Sequence, residues 1–130
     1  MLETYPTLPL EPVLSFSPSA RLSYAEMMAS ACQLAGLMQE IELPQRFVML
    51  FADPRENLIT TYAALLTQRT AIQQTLVSSA AAGISLAALM QNAGIEAVLT
   101  TPDYLTTLSS HAPALCDERT LYTVCPLDLN

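Results

Sequence analysis

Lysine is absent from this 130-residue sequence, and all five of its cationic side chains are arginines. Without lysine the chain cannot form a Schiff base with a carbonyl compound. It also cannot place the lysine of a P-loop or of a receiver-domain acyl-phosphate site beside a phosphate. These three kinds of site are therefore excluded for this chain alone.

Glycine is also scarce, and its three positions, Gly36, Gly83 and Gly94, lie far apart. Neither G-x-G-x-x-G nor G-x-x-x-x-G-K-[ST] can be written with this spacing, and those are the two loops that wrap phosphates in backbone N–H groups. The spacing excludes nucleotide binding by either loop.

Metal-ligating residues are few, because His111 is the only histidine and the three cysteines are Cys32, Cys116 and Cys125. The cysteines form no C-x-x-C pair and are odd in number, so neither a familiar zinc site nor a disulfide framework is indicated. We predict reduced thiols and hence a cytoplasmic protein.

Positive charge is in short supply, since twelve acidic residues against five arginines give a net charge of −7. This balance repels phosphate backbones and anionic lipids, which argues against nucleic acid and membrane as partners. The longest run poor in polar residues, 80–90, is far shorter than the ~20 residues of a membrane-spanning helix. The first twelve residues lack the basic start and continuous apolar stretch of a signal peptide.

Hydrophobic residues make up 52% of the sequence, which is enough for one folded core. Four of the nine prolines lie within residues 1–20. Because proline fixes φ and removes a donor, we predict an extended leader there, with at most a short edge strand at Val13–Phe16. Residues 21–130 are predicted to form a single α/β lobe.

Four helices are predicted from capping residues and apolar spacing. In the first, Ser23 and Glu26 form a capping box, and Pro44 ends the helix. Its apolar stripe is Met27, Ala31, Leu34, Ala35, Met38 and Ile41. The second is expected to be capped by Asn57 and to run to Gln68, with an inner side of Leu58, Tyr62, Leu65 and Leu66. The third and fourth are expected at 85–92, ended by Gly94, and at 104–110.

Four strands are predicted between these helices, at 46–52, 71–77, 95–100 and 120–125. The run at 46–52 is apolar without alternation, which is typical of a parallel strand buried on both faces. Strands alternating with helices indicate an α/β fold of three layers, a mainly parallel sheet with helices on both faces. Gln73 and Gln74 conflict with burial, since an unpaired buried amide costs about 1–3 kcal/mol. They must find partners, or their strand is exposed.

Four segments in this order resemble motifs of the adenylate-forming (AMP-binding) ligase superfamily. Residues 21–27, Arg-Leu-Ser-Tyr-Ala-Glu-Met, resemble its L-[TS]-Y-x-E-L motif with methionine in the last place. Residues 46–51 resemble its D-R-V-A-L-L strand, and 58–66 the helix before its A-G-A-V-x-V-P-L segment. Residues 84–100 are similar to its E-E-L-A-Y-I-L-E-D-S-G-A-x-V-L-V-T segment. The resemblance covers about residues 12–125.

The resemblance implies an N-terminal subdomain of a ligase that activates a carboxylic acid with ATP and Mg²⁺. Such a ligase passes the acyl group to a thiol, coenzyme A or a carrier protein, for example in fatty acid metabolism. The sequence ends before the family's phosphate loop, adenine-binding motifs, ribose-binding aspartate and catalytic lysine. We therefore assign no catalytic, cofactor-binding or metal-binding residue, expect the chain alone to be inactive, and expect it to bind neither ATP nor AMP.

One departure from the family leaves a second reading open. Within 69–76 the family's glycine and proline are replaced, and with the missing lysine this favours a non-catalytic interaction domain of the same descent. In either case an apolar face is expected to meet a partner, either the remainder of the ligase or a second copy of the chain. The strand at Gln73 and Gln74 is the candidate boundary.

Single residues add little. His111 lies in a Ser-Ser-His-Ala-Pro loop without a neighbouring acid, and we interpret it as a solvated histidine rather than a general base. Asp53 follows a strand, where α/β folds bind ligands, but Asp-Pro is also ordinary turn chemistry, which we favour. Ser78 and Ser79 lack the G-x-S-x-G context of a nucleophile, and Tyr24 is predicted to pack at a helix start.

The methionines admit two interpretations. At apolar-periodic positions they are usually core, although they can also line an acyl tunnel; core is the interpretation we adopt. The residues concerned are Met27, Met28, Met38, Met49 and Met90.

Overall fold

The computed structural model describes residues 13–15, 21–117 and 120–129, in which strands and helices alternate. The strands are β1 Val13–Ser15, β2 Arg21–Ser23, β3 Arg46–Leu50, β4 Thr70–Gln73, β5 Ala97–Thr100 and β6 Leu121–Thr123. The α-helices are α1 Tyr24–Glu40, α2 Pro54–Leu66, α3 Ala80–Ala93 and α4 Leu105–His111. Short 3-10 turns lie at Pro102–Tyr104, Pro113–Leu115 and Pro126–Asp128.

Four of the strands form a parallel sheet in the order β4-β3-β5-β6. From β3 the chain crosses to β4 on one side and then returns past β3 to β5 and β6 on the other. β1 and β2 form a separate antiparallel pair. The short strand expected near Val13 is thus present, β2 was not predicted, and the rest of the proline-rich leader lies outside the described residues. The division into a leader (1–20) and a lobe (21–130) stays a prediction.

Each face of the parallel sheet carries its own apolar core. Phe47 and Met49 of β3 pack with α1 and α2 on one face, whereas Val48 and Leu50 pack with α3 and α4 on the other. The alternation follows from the period of two in a strand. The predicted three-layer α/β architecture is confirmed.

Helix α1 begins as predicted and ends earlier. Ser23 Oγ accepts from the Glu26 N–H at 3.0 Å, and Glu26 Oε1 accepts from the Ser23 N–H at 3.1 Å, which completes the capping box. The stripe from Met27 to Met38 is buried. Ile41, assigned to it, is the C-cap and is 46% exposed. The helix stops before Pro44 because Glu42 turns into the left-handed region, with φ 54°.

Helix α2 begins earlier than predicted, and half of its expected inner side is confirmed, because Leu58 and Tyr62 pack partly buried against the core. Its N-cap is Asp53 with Pro54 in the first turn, so Asn57 is an internal residue rather than the cap. The buried side chains are Ile59, Thr60, Ala63 and Ala64. Leu65 and Leu66, expected inside, are 65% and 50% exposed. Small residues replace the leucines inside because α1 and α2 pack against each other through alanines, Ala31 and Ala35 facing the same core.

Strand β4 is shorter than the predicted 71–77 and lies at the edge of the sheet. Its last contact with β3 is the Gln74 N–H donating to Met49 O, after which the chain turns toward α3. Gln73 is exposed and Gln74 half-buried. Of the two possibilities, a buried glutamine with partners or an exposed strand, exposure is the correct one for Gln73.

Helix α3 begins at Ala80 rather than near residue 85, because Ser79 caps it by accepting from the Ala82 N–H at 3.1 Å. Gly94 ends it in the left-handed conformation as predicted, with φ 68°. Leu86 and Met90 are buried, whereas Leu89 is 39% exposed. β5 and β6 are two or three residues shorter than predicted, and α4 follows a 3-10 turn.

Candidate functional site

The candidate site lies where the parallel strands end, because α/β sheets bind ligands at the carboxyl ends of their strands, at the point where the strand order reverses. Here that point falls between β3 and β5, since the chain leaves β3 toward β4 and returns to β5. Residues 51–56 follow β3 at this edge, and residues 101–104 follow β5.

Asp53 is held in place by the start of α2. Its Oδ1 accepts from the Arg55 N–H at 2.9 Å, which makes it the helix cap. Its Oδ2 lies 2.6 Å from Nη2 of Arg55 in an ion pair with both side chains 26% exposed. Hydrogen bonds from the Arg55 side chain lower the pKa of Asp53 and raise that of Arg55. The turn interpretation of Asp-Pro was incomplete, because this aspartate is both cap and ion-pair partner.

The remaining ionisable groups at this edge are acidic. Burial raises the pKa of Glu56, and the neighbouring charges of Asp53 and Asp103 act in the same direction. Burial also raises the pKa of the Cys125 thiol, with Asp128, Asp103 and Glu56 adding to the effect. A raised pKa makes the Cys125 thiol harder to ionise, and the thiol form is a poorer nucleophile than the thiolate. The edge carries a net negative charge that repels phosphate.

A groove of about 570 Å³ opens beside these residues, between the start of α2 and the end of β4. Asn57 lies in its wall, and its Nδ2 donates to Phe51 O at 3.2 Å while its buried Oδ1 has no hydrogen-bond partner. Thr61 donates to Asn57 O at 2.8 Å. Gln73 and Gln74 line the opposite wall. The groove has polar side chains in both walls and no titratable group in its lining.

The other residues considered from the sequence lie apart from this edge. His111 ends α4, half-buried, and its backbone faces Gly83. Ser78 is exposed, Ser79 is a helix cap, and Tyr24 is 47% exposed at the start of α1.

The methionines belong to the core. Met27, Met38 and Met49 pack on one face of the sheet and Met90 on the other, while Met28 is half-buried against the first group. The sheet separates Met90 from the other four, so the five do not line one common acyl tunnel. The core interpretation is confirmed.

The cysteines and acids do not assemble a metal site. Cys32, Cys116 and Cys125 are all free. Within residues 13–15, 21–117 and 120–129, no three histidine, cysteine or acidic side chains are placed to hold a metal ion. In the same part of the chain, none of the helices has the length and apolar character needed to cross a lipid bilayer.

Sequence reasoning missed Arg55 and Glu56 as members of this edge. The signal was available, since Asp-Pro-x-Glu directly after a buried strand is the pattern of a capped helix start with an acid in the first turn. It missed Tyr104 as well, whose hydroxyl donates to Val77 O at 2.6 Å and joins the connection before α3 to the one between β5 and α4. Nothing local in the sequence indicates that contact.

Solved structures identify the fold. The adenylation domain of a keto acid-selecting NRPS module, bound to keto acyl adenylate, superposes with a TM-score of 0.68 at 13% identity over 88% of this chain and 22% of that one. The fatty acyl-adenylate ligase from L. pneumophila gives 0.65 at 13%, over 88% and 20%. The adenylation domain AlmE from Vibrio cholerae gives 0.65 at 17%, over 88% and 21%.

This chain has part of the adenylate-forming fold. It spans 20–22% of the length of those three structures. No family profile and no curated protein sequence matches it. The fold expected from the resemblance of residues 12–125 to adenylate-forming enzymes is thus confirmed. At identities of 13–17%, these superpositions show the fold alone.

Proposed function

We propose that this chain is the N-terminal subdomain of an AMP-forming ligase that activates a carboxylic acid with ATP and passes it to a thiol, coenzyme A or a carrier protein. The observation that carries the proposal is the superposition of 88% of the chain on about a fifth of an adenylation domain, at a TM-score of 0.68. The motif at 21–27 supports it, because that motif forms the capped start of α1. Fatty acids are one class of acid to be tested, since one matched structure is a fatty acyl-adenylate ligase.

In this proposal the chain supplies scaffold and no reacting group. The carboxyl edge does not fit Mg-ATP by itself, because Asp53, Glu56 and Asp103 outweigh Arg55, which is bound to Asp53. A triphosphate needs glycine-rich backbone N–H groups, cations or a metal, and we assign ATP and Mg²⁺ to the remainder of the ligase. The three free thiols support a cytoplasmic setting.

The test compares the product of the complete reading frame with the 130-residue chain. We expect the complete product to exchange pyrophosphate into ATP in the presence of one acid from a panel of fatty, keto and amino acids. The chain alone is expected to show no exchange and, in calorimetric titration with Mg-ATP, a dissociation constant above about 100 μM. A reading frame that stops at Asn130, or a longer product without exchange on every acid, contradicts the ligase proposal.

A non-catalytic interaction domain is the second candidate, favoured by one observation. From Asn57 to Ile95 the sequence has a single charged residue, Arg69, in a chain of net charge −7. Protein interfaces are depleted of charge at their centres. A longer product that lacks exchange yet retains a defined partner is the outcome expected of this candidate.

A further inference from the structure

The stretch from Asn57 to Ile95, whose one charged residue is Arg69, surrounds the β4 edge of the sheet, with α2 on one face and α3 on the other. It includes most of α2, all of β4 and all of α3, while the acidic residues lie before Asn57 or after Ile95. Its one cation is already engaged, because Arg69 donates from Nε to Leu43 O at 2.8 Å and from Nη2 to Met38 O at 3.3 Å. On this side, two copies of a molecule with net charge −7 meet the least electrostatic repulsion.

Apolar side chains are exposed on both sides of β4. Leu65 and Leu66, at the end of α2, are 65% and 50% exposed. On the α3 side Leu89, 39% exposed, lines a groove together with Leu76. Exposed leucines beside a sheet edge are apolar area that a partner strand would cover.

Strand β4 leaves its outer backbone groups unpaired within the described part of the chain. Thr70 and Gln74 donate their N–H groups to Gln45 O and Met49 O on the β3 side. Because successive N–H groups of a strand point in opposite directions, those of Ala71 and Gln73 point away from β3. The strand has no lysine, proline or acidic residue of the kind that protects sheet edges.

We propose that β4 is the interface of a two-fold homodimer, in which the β4 strands of two copies pair antiparallel and join their sheets into one. With the two-fold axis at Ile72, Ala71 of each copy exchanges backbone hydrogen bonds with Gln73 of the other, about four bonds in all. An axis at Gln73 would form only about two such bonds within the strand. The axis at Ile72 is therefore the favoured register.

The opposite edge of the sheet is less suited to this pairing. β6 is a strand of three residues that lies between Asp117 and Asp128 along the chain. Counted over 117–128, three acidic residues and one arginine leave a net charge of −2 per copy, so two copies would repel each other more here than at β4. The charge distribution thus selects β4 over β6.

The test is sedimentation equilibrium of the chain and of two matched proline variants at tens of micromolar. Gln73→Pro removes an N–H that points away from β3, so it leaves the β3–β4 bonds intact. Thr123→Pro makes the same change at the other edge, because Val124 is the residue that donates to Thr100 on β5. We expect wild type and Thr123→Pro to sediment at twice the 14.1 kDa of one chain. Gln73→Pro is expected to raise the dimer dissociation constant at least about tenfold.

Folding and salt provide the remaining controls. Circular dichroism of Gln73→Pro should match wild type, and if that variant is unfolded, Gln73→Lys replaces it, since lysine blocks edges without changing the backbone. Raising the salt concentration from 50 to 300 mM should strengthen dimerisation, because it screens repulsion between two net-negative copies. A monomeric wild type, or a dimer lost in Thr123→Pro and kept in both residue-73 variants, overturns the proposal.

Discussion

Glu42 occupies a backbone conformation that suits glycine. It follows the C-cap of α1 at φ 54°, where it donates to Gln39 O while Leu43 donates to Met38 O. The left-handed conformation costs a residue with a Cβ roughly 1 kcal/mol, and the carboxylate sits at the negative end of the helix dipole. The residue thus stores a small amount of strain that the fold does not require.

We expect Glu42→Gly to raise the free energy of unfolding by about 0.5–1 kcal/mol. The matched control is Glu40→Gly, two residues earlier at the last residue of α1. There the same change should lower the free energy of unfolding by about 0.5–1 kcal/mol, because glycine is a poor helix former. Urea denaturation measures both. Equal effects of the two variants would contradict the assignment of strain to Glu42.

Asp53 makes folding stability depend on pH. Its pKa is lowered in the folded state by the Arg55 side chain, so its contribution is present above the ordinary value of 3.8 and is lost as the pH falls through the folded value. Asp53→Asn keeps a capping oxygen and removes the charge. We expect it to cost about 0.5–1 kcal/mol at pH 7, and to match wild type at pH well below 3.8.

Urea unfolding curves at pH 7 and at acid pH test this dependence. In an Arg55→Gln background, the cost of Asp53→Asn at pH 7 should shrink, because the ion pair is already missing. A cost that is unchanged at acid pH would show that the aspartate acts by its shape rather than by its charge.

At the scale of elements, the contact between α3 and α4 depends on the lack of a side chain at Gly83. A Cβ built there would lie 2.1 Å from the backbone oxygen of His111. Gly36, in the middle of α1, has nothing within 4 Å of the same position. A side chain at Gly83 would therefore clash with α4, whereas a side chain at Gly36 has room.

We expect Gly83→Ala to lower the free energy of unfolding by about 2–3 kcal/mol, because backbone atoms must move to admit the methyl group. Gly36→Ala should raise it by about 0.5–1 kcal/mol, through better helix propensity. Thermal unfolding followed by circular dichroism compares the two. A neutral Gly83→Ala would mean that α4 can shift away from α3 at little cost.

Elements set by interactions between residues close in sequence were predictable, and elements set by packing between distant segments were not. β3 and the capping box of α1 were predictable because an apolar run and a spacing of three residues are local signals. The inner side of α2 was not, because Ala63 and Ala64 are buried by the close approach of α1, and a leucine is ordinarily the better guess. The end of β4 was missed for the same reason, since it depends on where β3 stops offering partners.

The candidate site was less predictable than the fold. Asp53 was singled out from its place after β3, but its ion pair with Arg55 depends on a helix start four residues earlier than expected. The groove between Asn57 and Gln74 joins two connections that no local pattern links. Side-chain pairing across elements is decided by packing, which a single sequence does not display.

At the scale of the whole molecule, β3 is the strand on which both cores depend. Its residues Phe47 to Leu50 are buried, point alternately into the two cores, and pair with β4 on one side and β5 on the other. Opening of the helices on one face of the sheet alone does not expose these amides to solvent. We therefore expect their hydrogen exchange to occur only through global unfolding, more slowly than that of the Ala71 and Gln73 amides, which exchange whenever the proposed dimer dissociates.

This shared strand makes the two cores a single cooperative unit. A change confined to one face, such as Gly83→Ala between α3 and α4, should accelerate exchange at Phe47, whose side chain lies on the opposite face. The exchange free energies of Phe47 and Val48 should fall by the same amount, equal to the loss measured by denaturation. Site-resolved hydrogen exchange by NMR would then show that both amides report the stability of the whole sheet.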